Sequence, residues 1–194
     1  AWLAGVRVKF FAYASLLFLT FLPIAISFLK PYQKSRILTF LDPTRDPLGA
    51  GYQITQSKIA IGSGGLFGKG FLNGSQSYLD YLPEKHTDFI FTLFSEEFGF
   101  FGSCVILLLY LLITWRLVGI GNMARDAFGK LYCFSFATAF FVYVAVNMGM
   151  VLGLIPIVGA PLPILSYGGS SMLAMMFGLG IAMSCKIHKD EPLV

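Results

Sequence analysis

Four long apolar runs alternate with polar segments along the 194-residue chain, at about residues 10–29, 89–115, 131–154 and 162–185. Each run approaches the roughly 20 residues that an α-helix needs to cross the hydrocarbon core of a bilayer. Each is also too long for a typical strand. The pattern therefore predicts an all-α integral membrane protein with four transmembrane helices, and residues 1–194 form a single membrane domain.

Composition supports this interpretation. Hydrophobic residues make up 56% of the chain and charged residues 12%, against about a quarter charged in soluble domains. The net charge of +4 does not indicate nucleic-acid binding, because Lys and Arg are expected at lipid headgroups and in cytoplasmic loops. The three cysteines lie in different apolar runs without a CxxC pattern, so neither a metal site nor a disulfide framework is indicated.

A polar segment of about 60 residues, about 30–88, separates the first two runs. A loop of this length is usually functional or disordered, and its tyrosines, isoleucines and leucines argue against disorder. Within it, "GYQITQSKIAI" predicts a short interfacial helix with Gln53, Gln56 and Ser57 on its wetter side.

The distribution of Lys and Arg predicts the orientation in the membrane. Basic residues precede the first run, occupy the segment between the second and third runs, and follow the fourth, whereas "IPIVGAPLP" between the third and fourth has none. The positive-inside rule then places both termini of this chain in the cytoplasm. The long loop, with Asp88 at its end, is expected on the extracytoplasmic side.

The start of the second run carries the main candidate for chemistry. If a helix begins near Asp88, a rotation of 100° per residue places Thr92, Ser95, Gly99 and Gly102 on the same face. Small residues suit close helix packing. The ionised carboxylate, however, is costly where hydrocarbon begins unless it faces a wet cavity, a cation or a helix N-terminus.

Other polar residues around this helix have both structural and functional interpretations. Thr87 is suited to cap the helix. His86 has only Glu84 and Asp88 close by as candidate metal-ligand or triad partners, and His188 is predicted on the opposite side of the membrane, so no Ser-His-Asp arrangement is visible. Glu96 and Glu97 lie one to two turns deeper than Asp88. We expect them to pack in the bundle or to pair with a base, including bases on helices outside this chain.

The fourth run opens with "PLPILSYGGSSMLAMM", in which Pro161 and Pro163 predict the start of a helix. Its small polar stretch, residues 166–171, is typical of tight packing. Because the second and fourth runs both begin outside, their helix N-termini should converge near Asp88, and such ends suit an anion such as phosphate. Lys69 and Lys85 can add positive charge there.

The stretch "SGGLFGKG" is superficially like a phosphate-binding loop. It fails the GxxxxGK[ST] pattern, because Ser63 occupies the first glycine position and Gly70 the Ser/Thr position. We therefore do not predict a nucleotide site in the long loop.

Several long motifs resemble the C-terminal part of the SEDS family (shape, elongation, division and sporulation). They are "FLDPTRDPLGAGYQITQSKIAIGSGGLFGKGFLNGSQS", "YLPEKHTDFIFTLFSEEFGF", "FVYVAVNMGMVLGLIPIVGAPLPILSYGGSS" and "GLGIAMS". They occur in family order over nearly the whole chain after the first run. "LDPTRDPLGAGY" and "GLFGKG" are more similar to the rod-shape-determining branch of the family than to its division branch. The resemblance implies a ten-helix bundle, of which this chain would be the C-terminal portion.

The resemblance also implies a function: a peptidoglycan glycosyltransferase of the bacterial inner membrane that polymerises lipid II during cell-wall elongation. The family's essential aspartate matches Asp88, for which we hypothesise the role of general base. Such a carboxylate accepts the proton of the attacking sugar hydroxyl, while helix N-termini or cations stabilise the charge of the leaving pyrophosphate. A single displacement needs no second carboxylate as nucleophile.

Residues expected to bind the substrate lie in the loop or at the outer helix ends: Lys69, Gln76, Glu84, Lys85, His86, Thr87, Ser166, Gly168, Gly169 and Ser170. No metal-ligand set is legible, and a divalent cation (Mg²⁺ or Mn²⁺) near Asp88 stays an open alternative. The implied partners are lipid II, undecaprenyl-pyrophosphate-linked glycan, a class B penicillin-binding transpeptidase and other elongation-complex proteins. The single span of the transpeptidase would pack against the second and third runs.

Two other functions stay open. One is a flippase for a lipid-linked precursor, and the other is a non-catalytic membrane subunit. A transporter is expected to carry its ionisable residues near the bilayer midplane. Asp88 is predicted at the outer edge of the membrane beside a structured loop, which favours the enzyme.

Overall fold

The computed structural model describes residues 8–28, 30–42, 46, 49–74 and 86–188. Six α-helices lie in these ranges, which contain no strand, so the predicted all-α class is confirmed for this part of the chain. In chain order they are α1 (Val8–Ser27), α2 (Pro31–Leu41), α3 (Ala50–Gly64), α4 (Ile90–Met123), α5 (Ala127–Val151) and α6 (Gly169–Ile187).

Three of these helices, α4, α5 and α6, are long and apolar enough to cross a membrane. They correspond to the second, third and fourth apolar runs of the sequence. The first run forms α1, which has 20 residues, and its passage through the membrane stays a prediction.

The core lies where α3, α4 and α5 meet. Asp126 caps α5 by accepting a hydrogen bond from the Gly129 amide at 3.1 Å, and the short connection makes α4 and α5 antiparallel neighbours. Phe89, Phe140 and Met150 are fully buried in this core. A second apolar cluster joins the far half of α4 to α5 and α6.

The long helix α4 is broken at Gly99, whose φ of 67° and ψ of −162° leave the helical region. The prediction of one polar face running on to Gly102 is therefore wrong beyond the break. The loop after α3 fills the gap: the amides of Phe100 and Phe101 donate to the carbonyl oxygens of Gly65 and Leu66, at 2.9 and 3.1 Å.

Two further hydrogen bonds close the break from the other side. The amides of Lys69 and Gly70 donate to the carbonyl oxygens of Glu96 and Glu97, each at 3.0 Å. Backbone groups that a broken helix leaves unpaired must find partners where water is excluded. The glycine-rich stretch "SGGLFGKG" thus supplies hydrogen-bond partners for the backbone groups that the break in α4 leaves unpaired.

The predicted helix over "GYQITQSKIAI" is confirmed as part of α3, but Ser57 does not face the wetter side. Its side chain is fully buried, and its hydroxyl lies 2.8 Å from the Thr92 hydroxyl and donates to the Val151 carbonyl at 2.8 Å. The expectation fails because α3 packs against α4 and α5, which bury its Ser57 face.

The helix ends also differ from the sequence prediction. The fourth apolar run becomes helical only at Gly169 and not at Pro161 or Pro163. Before it, Ile164 has a positive φ of 70°, and the Leu162 amide donates to the Ser166 hydroxyl at 2.7 Å, so the proline-rich segment forms a turn. Residues 152–168 thereby become an irregular connection between α5 and α6, which we call the α5–α6 connection.

Candidate active site

Asp88 lies in a turn immediately before α4 and is half-buried. Its side chain faces the α5–α6 connection: a Cβ atom added to Gly159 would lie 3.4 Å from Asp88 Oδ2. Gly159 has a positive φ of 76°, a conformation that L side chains rarely adopt. The backbone of the connection therefore lies close to the carboxylate with no side chain between them.

Three successive carbonyl oxygens of this turn each accept a hydrogen bond from a different residue. The Tyr167 amide donates to His86 at 2.9 Å, the Ser166 hydroxyl donates to Thr87 at 2.6 Å, and the Asn147 side-chain amide donates to Asp88 at 2.8 Å. We call these three bonds the carbonyl clamp. The clamp fixes the backbone of the turn to α5 and to the α5–α6 connection.

Two members of the clamp also order the connection itself. Asn147, which is fully buried, makes a second donation to the Ala160 carbonyl at 2.7 Å. The Ser166 hydroxyl accepts from the Leu162 amide while it donates to Thr87. Tyr110 adds a hydrogen bond from its hydroxyl to the Pro163 carbonyl at 2.5 Å. The turn carrying Asp88 and the connection therefore form one hydrogen-bonded unit.

A cleft of about 580 Å³ lies beside this unit. Four residues that the sequence predicted to bind substrate line it, namely His86, Ser166, Gly168 and Gly169. Ile90, the first residue of α4, lines it as well, so the N-termini of α4 and α6 meet here as the sequence predicts. Asp88 stands between His86 and Ile90 in the chain.

The remaining predicted residues are placed differently. Ser170 is exposed in the first turn of α6. Thr87 does not cap α4, because the helix starts at Ile90, preceded by Phe89, and has no side-chain cap. Gln76, Glu84 and Lys85 lie outside the described residues.

Lys69 does not line the cleft but pairs with Glu96 at the break in α4. Its Nζ atom lies 2.7 Å from Glu96 Oε1, with Lys69 29% exposed and Glu96 fully buried. The Ser63 hydroxyl donates to the same oxygen at 3.4 Å. The expectation that Glu96 packs in the bundle or pairs with a base is confirmed, and the base is Lys69 of this chain's own loop and not a residue of a helix outside the chain.

Sequence reasoning did not single out Asn147. The sequence does mark this residue, because it is a lone asparagine in the apolar stretch "VAVNMGM". A side-chain amide that is buried in such a stretch requires hydrogen-bond partners. Within the described ranges, no group of three or more His, Cys, Asp or Glu residues could hold a metal ion. A divalent cation near Asp88 stays a prediction.

Comparison with known proteins gives a consistent result. The FTSW_RODA_SPOVE family model, described as "Cell cycle protein", matches residues 1–191. Peptidoglycan glycosyltransferase MrdB of Escherichia coli (strain K12) is 49% identical over 188 residues, which are 96% of this chain and 51% of that protein. Peptidoglycan glycosyltransferase RodA of Treponema pallidum is 47% identical over 161 residues, covering 83% of this chain and 37% of that protein. The chain spans about half the length, or less, of these relatives.

Two solved structures share the fold. One is a chain from work on the structural coordination of polymerization and crosslinking by a peptidoglycan synthase complex. It is 34% identical with a TM-score of 0.72, over 97% of this chain and 50% of the other. The second is an aspartate-to-alanine mutant of the Thermus thermophilus rod shape determining protein RodA. It is 33% identical with a TM-score of 0.55, over 66% of this chain and 40% of the other.

Proposed function

Because the chain belongs to the SEDS family of FtsW, RodA and SpoVE proteins, we propose that the protein is a peptidoglycan glycosyltransferase of the inner membrane. Its substrate is lipid II, which it polymerises into glycan strands during cell-wall elongation. Similarity to relatives named as peptidoglycan glycosyltransferases supports this proposal. Since the chain spans about half of their length, the activity is proposed for the full-length protein.

The observation that carries the assignment of the catalytic residue is the carbonyl clamp. A general base must keep its carboxylate within hydrogen-bond reach of the proton that it removes. The clamp holds the backbone of Asp88 through Asn147 and the backbone of its neighbours through Ser166 and Tyr167. Such fixation supports a role in which the position of the carboxylate matters.

The proposed step is a single displacement. The 4-hydroxyl of one sugar attacks the anomeric carbon of another, the bond from that carbon to the lipid pyrophosphate breaks, and the hydroxyl proton passes to Asp88. The pyrophosphate departs with its negative charge. One carboxylate is sufficient, because the leaving group is already an anion and needs no strong acid.

The cleft beside the clamp is a suitable place for the pyrophosphate. The first turns of α4 and α6 border it, and neither helix has a side-chain cap. Uncapped N-termini offer free backbone N–H groups and the positive end of the helix dipole to an anion. His86, Gly168 and Gly169 complete the polar part of its wall, and Thr87 and Ser170 lie next to them in the chain.

A flippase is the alternative function. It would need ionisable groups along a path through the bilayer, and Glu96 is the fully buried acid of α4. Glu96 is already paired with Lys69, whereas Asp88 precedes the helix. This arrangement favours chemistry at the membrane edge over transport through the bundle.

The proposal includes a partner and an orientation. We propose that both termini of this chain face the cytoplasm and that the turn carrying Asp88 faces outward. The partner is a class B penicillin-binding transpeptidase whose single span packs against α4 and α5. Similarity to a chain of a peptidoglycan synthase complex supports such an assembly, and both helices expose large apolar side chains, among them Leu108 and Phe141.

The decisive experiment replaces Asp88 by asparagine in the full-length protein. Loss of a general base typically costs 10²- to 10⁴-fold in rate, so polymerisation of purified lipid II by Asp88→Asn should fall roughly 100-fold or more. Asp126→Asn is the matched control, because asparagine also caps helices well and removes the same charge away from the cleft. Full polymerisation by Asp88→Asn would refute the catalytic role.

The same variants separate the enzyme from the flippase. If the protein is a polymerase only, the unaltered protein and Asp88→Asn should give the same translocation of labelled lipid II in proteoliposomes. Translocation that requires Asp88, without any polymerisation by the unaltered protein, would support the transport function instead.

A further inference from the structure

A second cleft, of about 620 Å³, opens at the far ends of α4 and α6. Arg116 and Lys186 place two cations in its wall, and Trp115 lies beside them. At 1.5 Å per residue, Arg116 is about 24 Å along α4 from Phe100, and Lys186 is about 26 Å along α6 from Gly169. The cleft, which we call the basic cleft, is therefore remote from Asp88.

One face of α4 forms most of the basic cleft. Leu112, Trp115, Arg116 and Gly119 follow the spacing of three and four residues that places side chains on one side of a helix. Met183 and Lys186, three residues apart on α6, provide the opposite wall. Apolar side chains thus surround two positive groups that come from different helices.

Arg116 directly follows the second apolar run, which ends at about residue 115. It is seven residues from the end of α4 at Met123, which is about 10 Å along the helix. In the described part of the chain, neither Arg116 nor Lys186 has an acidic partner within salt-bridge distance. Both exposed cations therefore lie where Lys and Arg of membrane helices contact lipid headgroups.

We propose that the basic cleft binds an anionic phospholipid of the leaflet at which α4 and α6 end. The phosphate would contact Arg116 and Lys186, and an acyl chain would lie along Leu112 and Met183. Basic pockets between transmembrane helices are suited to such headgroups, and Trp prefers the same interfacial depth. The apolar walls of the cleft favour a phospholipid over a free phosphate, because only the lipid has an acyl chain to contact them.

Gly119 provides an independent way to block the site. A Cβ atom added to Gly119 would meet nothing within 4 Å, so the glycine leaves space at the cleft wall without being required by packing. A larger residue there should fill the cleft while both cations remain. Gly119→Phe is therefore expected to fold and to exclude the lipid.

Trp115 is the reporter for the test, because it is 66% exposed and lines the cleft. The full-length protein is placed in vesicles of phosphatidylcholine that contain either brominated phosphatidylglycerol or brominated phosphatidylcholine. Bromine quenches a tryptophan that it contacts, and subtraction of the Trp115→Phe signal isolates Trp115. At about 1 kcal/mol for each basic residue, the apparent affinity for the anionic lipid should be at least tenfold higher.

The preference should disappear in Arg116→Gln/Lys186→Gln and in Gly119→Phe. It should persist in Lys130→Gln, which removes an exposed cation outside the cleft, and in excess inorganic phosphate. Equal quenching by both lipids would reveal ordinary boundary lipid, and no quenching would reveal that another part of the protein covers the cleft. Each of these two results would overturn the proposal. A preference for the anionic lipid that survives the double substitution, or one that inorganic phosphate abolishes, would overturn it as well.

Discussion

The buried amide of Asn147 donates to the carbonyl oxygens of both Asp88 and Ala160, at 2.8 and 2.7 Å. Asp88 precedes α4, and Ala160 lies in the α5–α6 connection that faces its carboxylate. One side chain on α5 thus fixes the backbone on both sides of the candidate active site. Among the described residues, its Oδ1 atom is the one buried side-chain polar atom without a hydrogen-bond partner.

Replacing Asn147 by alanine should weaken both stability and activity. Two buried carbonyl groups lose their partner, at a cost of about 2 kcal/mol, and a misplaced carboxylate should slow lipid II polymerisation by about tenfold or more. Thermal unfolding and initial rates measure the two effects. Asn122→Ala, at an exposed position near the end of α4, is the control.

A purely structural role of Asn147 would give a different pattern of rates. If Asn147 acts by positioning Asp88, Asn147→Ala should cause little further loss of rate in an Asp88→Asn background, because the positioned group is already absent. Rate losses that multiply in the double variant, measured below the unfolding temperature of each protein, would exclude this role.

Ser166→Ala should destabilise the protein by about 1–3 kcal/mol, because the Leu162 amide and the Thr87 carbonyl would both lose a buried partner. Thermal unfolding in detergent micelles detects a change of this size. Ser135→Ala, on an exposed face of α5, should be nearly neutral. Equal unfolding temperatures for the two variants would contradict the importance of the clamp.

Lys69→Met should destabilise the protein by about 3 kcal/mol, because it leaves the buried carboxylate of Glu96 without its cation. Adding Glu96→Gln should recover part of the loss, and a double-mutant cycle should give a coupling energy of about 2 kcal/mol. Lys130→Met serves as the control for an exposed lysine. Additive effects of Lys69→Met and Glu96→Gln would show that the pair does not stabilise the break in α4.

Gly99→Ala and Gly68→Ala should both disrupt the junction between the loop and α4. Each glycine has a positive φ, 67° and 80°, and an added Cβ would collide with backbone atoms of the other segment. We expect losses above about 1 kcal/mol from the backbone conformation alone. Gly62→Ala is the matched control: it meets nothing within 4 Å, and in helix α3 it should be neutral or stabilising by up to about 1 kcal/mol.

Hydrophobic periodicity located the long apolar helices correctly but missed α2 in the polar segment, and it could not define helix ends or interruptions. The apolar run containing α4 reads as one continuous helix, yet Gly99 breaks it because the loop carrying Gly68 must approach closely. Likewise, Pro161 and Pro163 are typical of a helix start, but hydrogen bonds to Ser166 and Tyr110 fold this segment into a turn. These outcomes depend on contacts between segments that are distant in sequence.

The residues of the candidate active site were also only partly predictable from the sequence. His86, Ser166, Gly168 and Gly169 were expected near one another because two helices begin on the same side of the membrane, and they line one cleft. The position of Lys69 was not predictable, because a lysine in a glycine-rich loop suits either a phosphate or a buried acid. Only the packing of that loop against α4 selects Glu96.

The sequence by itself determined the helical class, the long apolar helices, the family and the position of Asp88 near the start of a helix. These features follow from local composition, spacing and motif order. The tertiary structure decided the carbonyl clamp, the break at Gly99 and the pairing of Glu96. The bonds involved join residues 59 and 79 positions apart, as in Asn147 with Asp88 and Ser166 with Thr87, and periodicity carries no information about contacts over such separations.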